Sequence, residues 1–254
     1  MKLFRLVGAE ARLQLYRQRR YAFEFIASAL VLLGIFAGIA YGIAWLPAAE
    51  VLPSQASLAL GFVLWNFASA CYNGVSSEAA EEMRGRTLEQ LCIVARPLVN
   101  VLLARCAVQL LAALLGSLVM LHVAFWLVGR PVEVSLAPML VILAAAAPSL
   151  VGMGLIIGGL AVVFKQVEAI NAIMLLGVIV LIGVPAYPIN LFALLPFSHA
   201  AAWVIVEQQG LTLAAHEASL ALVLANSAFY FALGLVVFRS GYRIARDRGT
   251  IGHI

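Results

Sequence analysis

Few residues in this chain have the types and spacing that chemistry needs. There is one aspartate, Asp247, so a paired-aspartate acid–base site cannot be built. His216-Glu217 opens like the zinc motif His-Glu-x-x-His, but Leu220 stands where the second histidine belongs. The only lysines are Lys2 and Lys165, and neither follows a glycine-rich phosphate loop, so the chain carries no ATP-binding loop of its own. Cys71, Cys92 and Cys106 form no Cys-x-x-Cys pair and read as small, reduced, buried hydrophobes. A serine nucleophile has no motif to support it.

What stands out instead is a polar stretch, 76–97, running Ser76-Ser77-Glu78-Ala79-Ala80-Glu81-Glu82-Met83-Arg84-Gly85-Arg86, then Thr87-Leu88-Glu89-Gln90-Leu91 and on to Pro97. Thr87 followed by Gln90 is a capping box. The threonine hydroxyl accepts from the amide three residues on, and the glutamine reaches back. Glu89 lies in the first turn, where the helix dipole favours an anion. Gly85 can break the chain before this helix, and Pro97 limits it. The pattern predicts a short helix over about 88–95, with Leu88 and Leu91 on its apolar side. Such a helix is either a handle for a soluble partner or a solvated connector.

The elements that would position this handle are apolar. The chain has 254 residues, of which 64% are hydrophobic and 11% charged. Soluble domains carry about 25% charge. A span needs roughly 20 apolar residues, and the pattern predicts an all-α integral membrane protein with six transmembrane helices. A basic amphipathic helix over 1–20, with Leu3, Phe4, Val7, Ala11 and Leu15 on one face, is expected to lie on the membrane. The spans are placed at 22–46, 54–75, 98–128, 137–164, 168–187 and 215–238, with a basic tail over 239–254. The 22–46 stretch is longer than a signal-peptide core, so it reads as a retained anchor although Ala48-Ala49 imitates a cleavage site. Residues 189–214 are too broken for a simple span. They read as an outer re-entrant pair of short helices or as an interfacial loop anchored by Trp203.

Basic residues set the orientation. With the N-terminus inside, only Arg130 of the 16 lysines and arginines falls on the outer side. Both termini, the 76–97 loop and Lys165 then face the cytoplasm. This makes the chain a multi-pass protein of the cytoplasmic membrane, in contact with membrane lipids and not with nucleic acid.

The stretch Glu82-Met83-Arg84-Gly85-Arg86-Thr87-Leu88-Glu89-Gln90-Leu91, closing at Pro97, resembles the inner-loop motif of ABC-2 type permeases, the membrane subunits of ATP-binding cassette exporters. Arg86 departs from the glycine usual there, with Gly85 one place earlier. The layout is similar over nearly the whole chain. The resemblance implies a single permease domain in which 88–95 is a coupling helix, with Glu82, Arg84, Arg86, Thr87, Leu88, Glu89, Gln90 and Leu91 meeting a cytoplasmic ATP-binding subunit. That partner would bind ATP and magnesium; this chain would hold no cofactor and no metal. The resemblance also implies a second permease copy or homologue, with the first and fifth spans at the dimer interface.

Gly34, Gly38 and Gly42 recur every four residues and let another helix approach, either within the chain or from the second copy. Gly154 and Gly158 offer a second such surface. Asn66, Tyr72, Asn73 and Asn171 are the candidates for an internal cargo path, with helix–helix hydrogen bonding as the alternative use. Glu24 is expected to pair locally or reach the interface, and Arg105 to snorkel inward or meet a carboxylate. So weakly charged a path favours an amphipathic cargo such as a lipid or drug. An ATP-independent secondary transporter or channel is the competing reading. It would more often show paired intramembrane charges and repeated halves.

Overall fold

The computed structural model describes residues 2–44, 54–84, 98–129, 131–132, 134–164, 168–208, 210–213 and 216–247. All regular structure among them is helical: α1 (Lys2–Arg20), α2 (Ala22–Ala44), α3 (Gln55–Arg84), α4 (Leu98–Val128), α5 (Leu136–Phe164), α6 (Glu168–Gly183), a 3-10 turn (Leu191–Leu194), α7 (Ser198–Val206) and α8 (Glu217–Asp247). Four of these helices are long and apolar enough to cross a membrane, over Ala22–Ile43, Ala104–Val128, Leu136–Leu160 and Glu217–Gly241. Their outward faces carry large apolar side chains, among them Ile35, Leu115, Val119, Trp126, Leu224 and Val236, each more than half exposed. Such a surface is stable against lipid rather than water. The chain is an all-helical membrane protein.

The two other expected spans are helices of a different kind. The centre of the bundle is α3, where Leu60, Val63, Leu64, Phe67, Ala68 and Tyr72 are fully buried against α4, α5, α6 and α7. Facing protein rather than lipid, it tolerates Asn66, Ser69 and Asn73 along its length. The other, α6, is apolar but short. Its 16 residues rise only about 24 Å, less than the roughly 30 Å hydrocarbon core. It ends four residues before the expected 187. Pro185 offers no amide for another turn and steers the residue before it out of the helical region.

Two ends run past the expected boundaries. The third helix continues through Ser76-Ser77-Glu78 to Arg84, nine residues beyond 75, so the polar stretch begins as helix and not as loop. Ala79, Ala80, Glu81, Glu82 and Met83 are strong helix formers, and continuing an existing helix avoids a new nucleus. The last helix likewise extends to Asp247, well into the stretch read as tail.

The α5–α8 contact is a glycine seam. A Cβ added to Gly152 would lie 2.6 Å from the Tyr230 carbonyl carbon, and one on Gly234 would lie 2.8 Å from the Gly152 Cα. Seven residues on, a Cβ on Gly241 would be 2.5 Å from the Gly159 oxygen. The backbones therefore touch. In lipid, where no hydrophobic force draws helices together, this approach supplies the dispersion contact that holds them. The seam pairs 152 with 234 and 159 with 241, so α5 and α8 run in the same direction. The chain between them, α6 and residues 184–216, must return it to the end of the bundle where α5 began.

The first helix meets the bundle through polar side chains. Leu15 is half exposed, whereas Glu10 and Gln14 face α4. Glu10 Oε2 lies 3.4 Å from Arg105 Nε, and Gln14 Nε2 donates to Gln109 Oε1 at 3.4 Å. Arg105 thus meets a carboxylate, one of its two expected uses. Gly74 leaves the room that the Gln109 side chain fills.

Candidate functional site

Between α2, α3, α6 and α7 lies a groove of about 710 Å³. Helix periodicity explains its walls. Ile35, Phe36 and Ile39 come from one face of α2, and Leu58, Gly61, Phe62 and Trp65 from one face of α3. Ile179 and Ile182 close it from α6, and Ala202, Ile205 and Val206 from α7. Phe36 stacks on Phe62 with ring centroids 4.6 Å apart, which fixes the α2–α3 wall. Gly61 contributes space, since a Cβ there would meet nothing within 4 Å. Among the described residues no titratable side chain lines the groove, and its apolar walls suit an apolar body. Its polar features are Ser57, whose hydroxyl lies 2.9 Å from that of Ser54, and Trp65, whose Nε1 is buried without a partner.

The four residues named for an internal path sit elsewhere. Tyr72 is buried in the core, and Asn66, Asn73 and Asn171 are half-buried. Ser76 Oγ lies 3.4 Å from Asn171 Oδ1, a contact that ties α3 to α6, and 3.3 Å from the Asn73 backbone carbonyl within its own helix. None of the four lines the groove. Gly34, Gly38 and Gly42 lie exposed on α2, with nothing among the described residues within 4 Å of a Cβ at any of them. Glu82 and Arg84 fall on the last turn of α3, while Arg86, Thr87, Leu88, Glu89, Gln90 and Leu91 lie outside the described residues, as does the predicted 88–95 helix. Cys71 and Cys106 form no disulfide among the described residues; Cys92 is outside them.

At one end of the groove the chain builds a second polar cluster. After α6 it turns through a cis Tyr187-Pro188 bond into the 3-10 turn, which Asn190 caps by accepting from the Ala193 amide and donating to the Pro185 carbonyl. From α8, Asn226 donates to the Leu194 carbonyl at 2.8 Å and Tyr230 to the same oxygen at 3.2 Å. Phe197 then starts α7 with φ +67°, a left-handed conformation that costs a bulky residue roughly 1–3 kcal/mol. It is held there by burial against Phe67. Behind it His199, Trp203, Tyr187 and His216 pack ring against ring, with centroids 5.6–6.3 Å apart. Tyr187 donates to Glu207 Oε1 at 3.0 Å. Burial pushes the Tyr187 phenol above its ordinary range, and the Glu207 hydrogen bond and charge push it further.

Sequence reasoning missed the groove and the Gly152/Gly159–Gly234/Gly241 seam. The seven-residue spacing in both helices was the available signal, but attention went to Gly154 and Gly158. The fold and site together define a helical membrane protein with an apolar groove among its helices. Comparison of the chain with protein-family models, curated proteins and solved structures gives no match.

Proposed function

We propose that this chain is the permease subunit of an ATP-driven exporter of the ABC-2 type, moving an amphipathic cargo across the cytoplasmic membrane. The observation that carries the reading is the inner-loop sequence from Glu82 through Leu91 to Pro97. That α3 lines the groove and runs on to Arg84 supports it, because one rigid helix then joins the groove to the start of this loop. A load on the loop would reach Phe62 and Trp65 along the helix axis.

In this reading the chain crosses the membrane six times with both termini cytoplasmic. The parallel α5–α8 seam supports the count, since α6 and the segment after it must recross the bundle. Residues 189–214 form the outer re-entrant region, and α1 lies at the inner interface. The cargo, a lipid, drug or similar amphiphile, places its apolar part in the groove, whose lining suits it. A second permease copy packs on the open Gly34/Gly38/Gly42 face of α2. ATP and magnesium bind the partner ATPase, with Thr87, Leu88, Glu89, Gln90 and Leu91 in its cleft.

Purifying the tagged chain in mild detergent from its native cells tests this. An ATP-binding cassette subunit is expected in stoichiometric amount, and a Thr87→Ala/Glu89→Ala variant is expected to lose it while keeping its own melting temperature. Recovery of the folded chain without such a subunit would count against the proposal.

A further inference from the structure

The ring cluster beside the groove contains two histidines in different hydrogen-bonding situations. A carbonyl oxygen can only accept, so any ring nitrogen bonded to one must carry a proton. His199 Nδ1 lies 2.7 Å from the Ala186 carbonyl, while its Nε2 is buried and has no partner. That is the arrangement of a neutral imidazole protonated on Nδ1. His216 Nδ1 lies 3.0 Å from the Thr212 carbonyl, so it too carries a proton. Its Nε2, however, faces Glu207 Oε1 at 3.7 Å. In the neutral ring that nitrogen would turn a lone pair toward a carboxylate oxygen. Only the imidazolium offers a donor to both acceptors.

We propose that His216 is a proton-operated latch: when protonated it pairs with Glu207 and clamps the end of α7 to the start of α8. The charged and titratable neighbours are few. Among the described residues, Glu207 faces His216 from the end of α7 and Tyr187 from the turn after α6. Trp203 stands between His216 and His199, and Glu217 is the next residue on α8. Glu207 Oε1 also accepts from Tyr187, so one oxygen joins three separate pieces of chain. With the ring neutral, the Tyr187 bond remains and the ion pair is lost. The rings pack too closely for the cluster to be a cage for an organic cation, which needs a gap between faces.

The latch sits on a wall of the groove. Ala202, Ile205 and Val206 line the groove from α7, while His199, Trp203 and Glu207 carry the cluster from the same short segment. Protons on that side of the membrane therefore set how firmly the groove wall is held. The latch itself stands on the geometry alone; its bearing on cargo release rests on the export reading.

Trp203 reports the latch, because its ring lies 5.6 Å from that of His216 and a nearby imidazolium quenches indole emission. In the full-length chain with Trp45→Phe, Trp65→Phe and Trp126→Phe, emission is expected to fall in one step on acidification from pH 7.5 to 5.5. His216→Gln removes the step, and His199→Gln keeps it. In the otherwise native chain, Glu207→Gln and His216→Gln have non-additive effects on melting temperature at pH 5.5 and additive effects at pH 7.5. A step that survives His216→Gln, or additivity at pH 5.5, would overturn the latch. Both readouts leave transport untouched, so failure of the export reading would show separately.

Discussion

Replacing Gly234 by alanine tests the packing that orders this bundle. The added Cβ would sit 2.8 Å from the Gly152 Cα and 2.9 Å from its carbonyl carbon, whereas ordinary contact begins at 3.4 Å. The obstructing atoms are backbone, so no side chain can swing away. The Gly152 carbonyl oxygen is closer still, so the two helices must part by up to about 1 Å, and a gap of that size forfeits a quarter to a half of the dispersion well at each contact along the seam. Overpacking of this kind costs roughly 1–3 kcal/mol. Alanine returns up to about 1 kcal/mol of helix propensity. The net loss is about 1–2 kcal/mol, or a melting temperature lower by about 2–8 °C for a chain of this size. Gly116→Ala is the control, because a Cβ there meets nothing within 4 Å. It gains the propensity alone and should melt at the same temperature or up to about 4 °C higher. Thermal unfolding of both variants in the same detergent gives the comparison. Equal tolerance of the two substitutions would refute the seam and, with it, the parallel arrangement of α5 and α8.

The Glu10–Arg105 pair should show a coupling of about 1 kcal/mol in a Glu10→Gln/Arg105→Gln double-mutant cycle, since both side chains are about one-fifth exposed; additive single effects would mean the pair does not hold α1 to α4. A Cβ at Gly61 meets nothing within 4 Å, so Gly61→Trp enters the groove without a clash at its root and should weaken binding of a fluorescent lipid about tenfold, or 1.4 kcal/mol, in a variant that still unfolds cooperatively. Unchanged lipid binding would remove the groove from the account. Because the Tyr187 phenol is raised in the folded state, its neutral form is the one the fold favours. Its contribution is complete below the ordinary tyrosine range, near 10, and is lost as pH rises through the higher folded value. Melting curves of the native chain and Tyr187→Phe should therefore converge above pH 10, and curves that stay parallel would contradict the Glu207 contact.

The apolar helices were legible because lipid imposes a length and a composition on any segment that faces it. The window Ala104–Val128 falls within the range that hydrophobicity alone picks out, and Leu136–Leu160 begins one residue before its range. Helix ends were harder to place. Residues 76–84 look like loop by polarity, yet Ala79 to Met83 are good helix formers and extend α3. The cargo candidates illustrate a deeper limit. Asn171 is polar within an apolar segment, and composition cannot separate a path from a helix–helix tie; here its side chain accepts from Ser76 of α3. The groove was invisible for the opposite reason. Its lining is ordinary Ile, Phe and Leu from four helices, and only their relative placement leaves the space. Likewise Glu207 and His216, nine positions apart, gain meaning from a turn that brings them within 3.7 Å.

The central claim is that residues 82–97 couple this chain to an ATPase. The direct measurement is ATP hydrolysis by the co-purified ATP-binding subunit, reconstituted in vesicles with the native chain or with Leu88→Glu/Leu91→Glu. Hydrolysis is expected to rise with the native chain and to stay at the level of the isolated subunit with the variant, both chains melting alike. Equal hydrolysis with native chain, variant and no chain would contradict it.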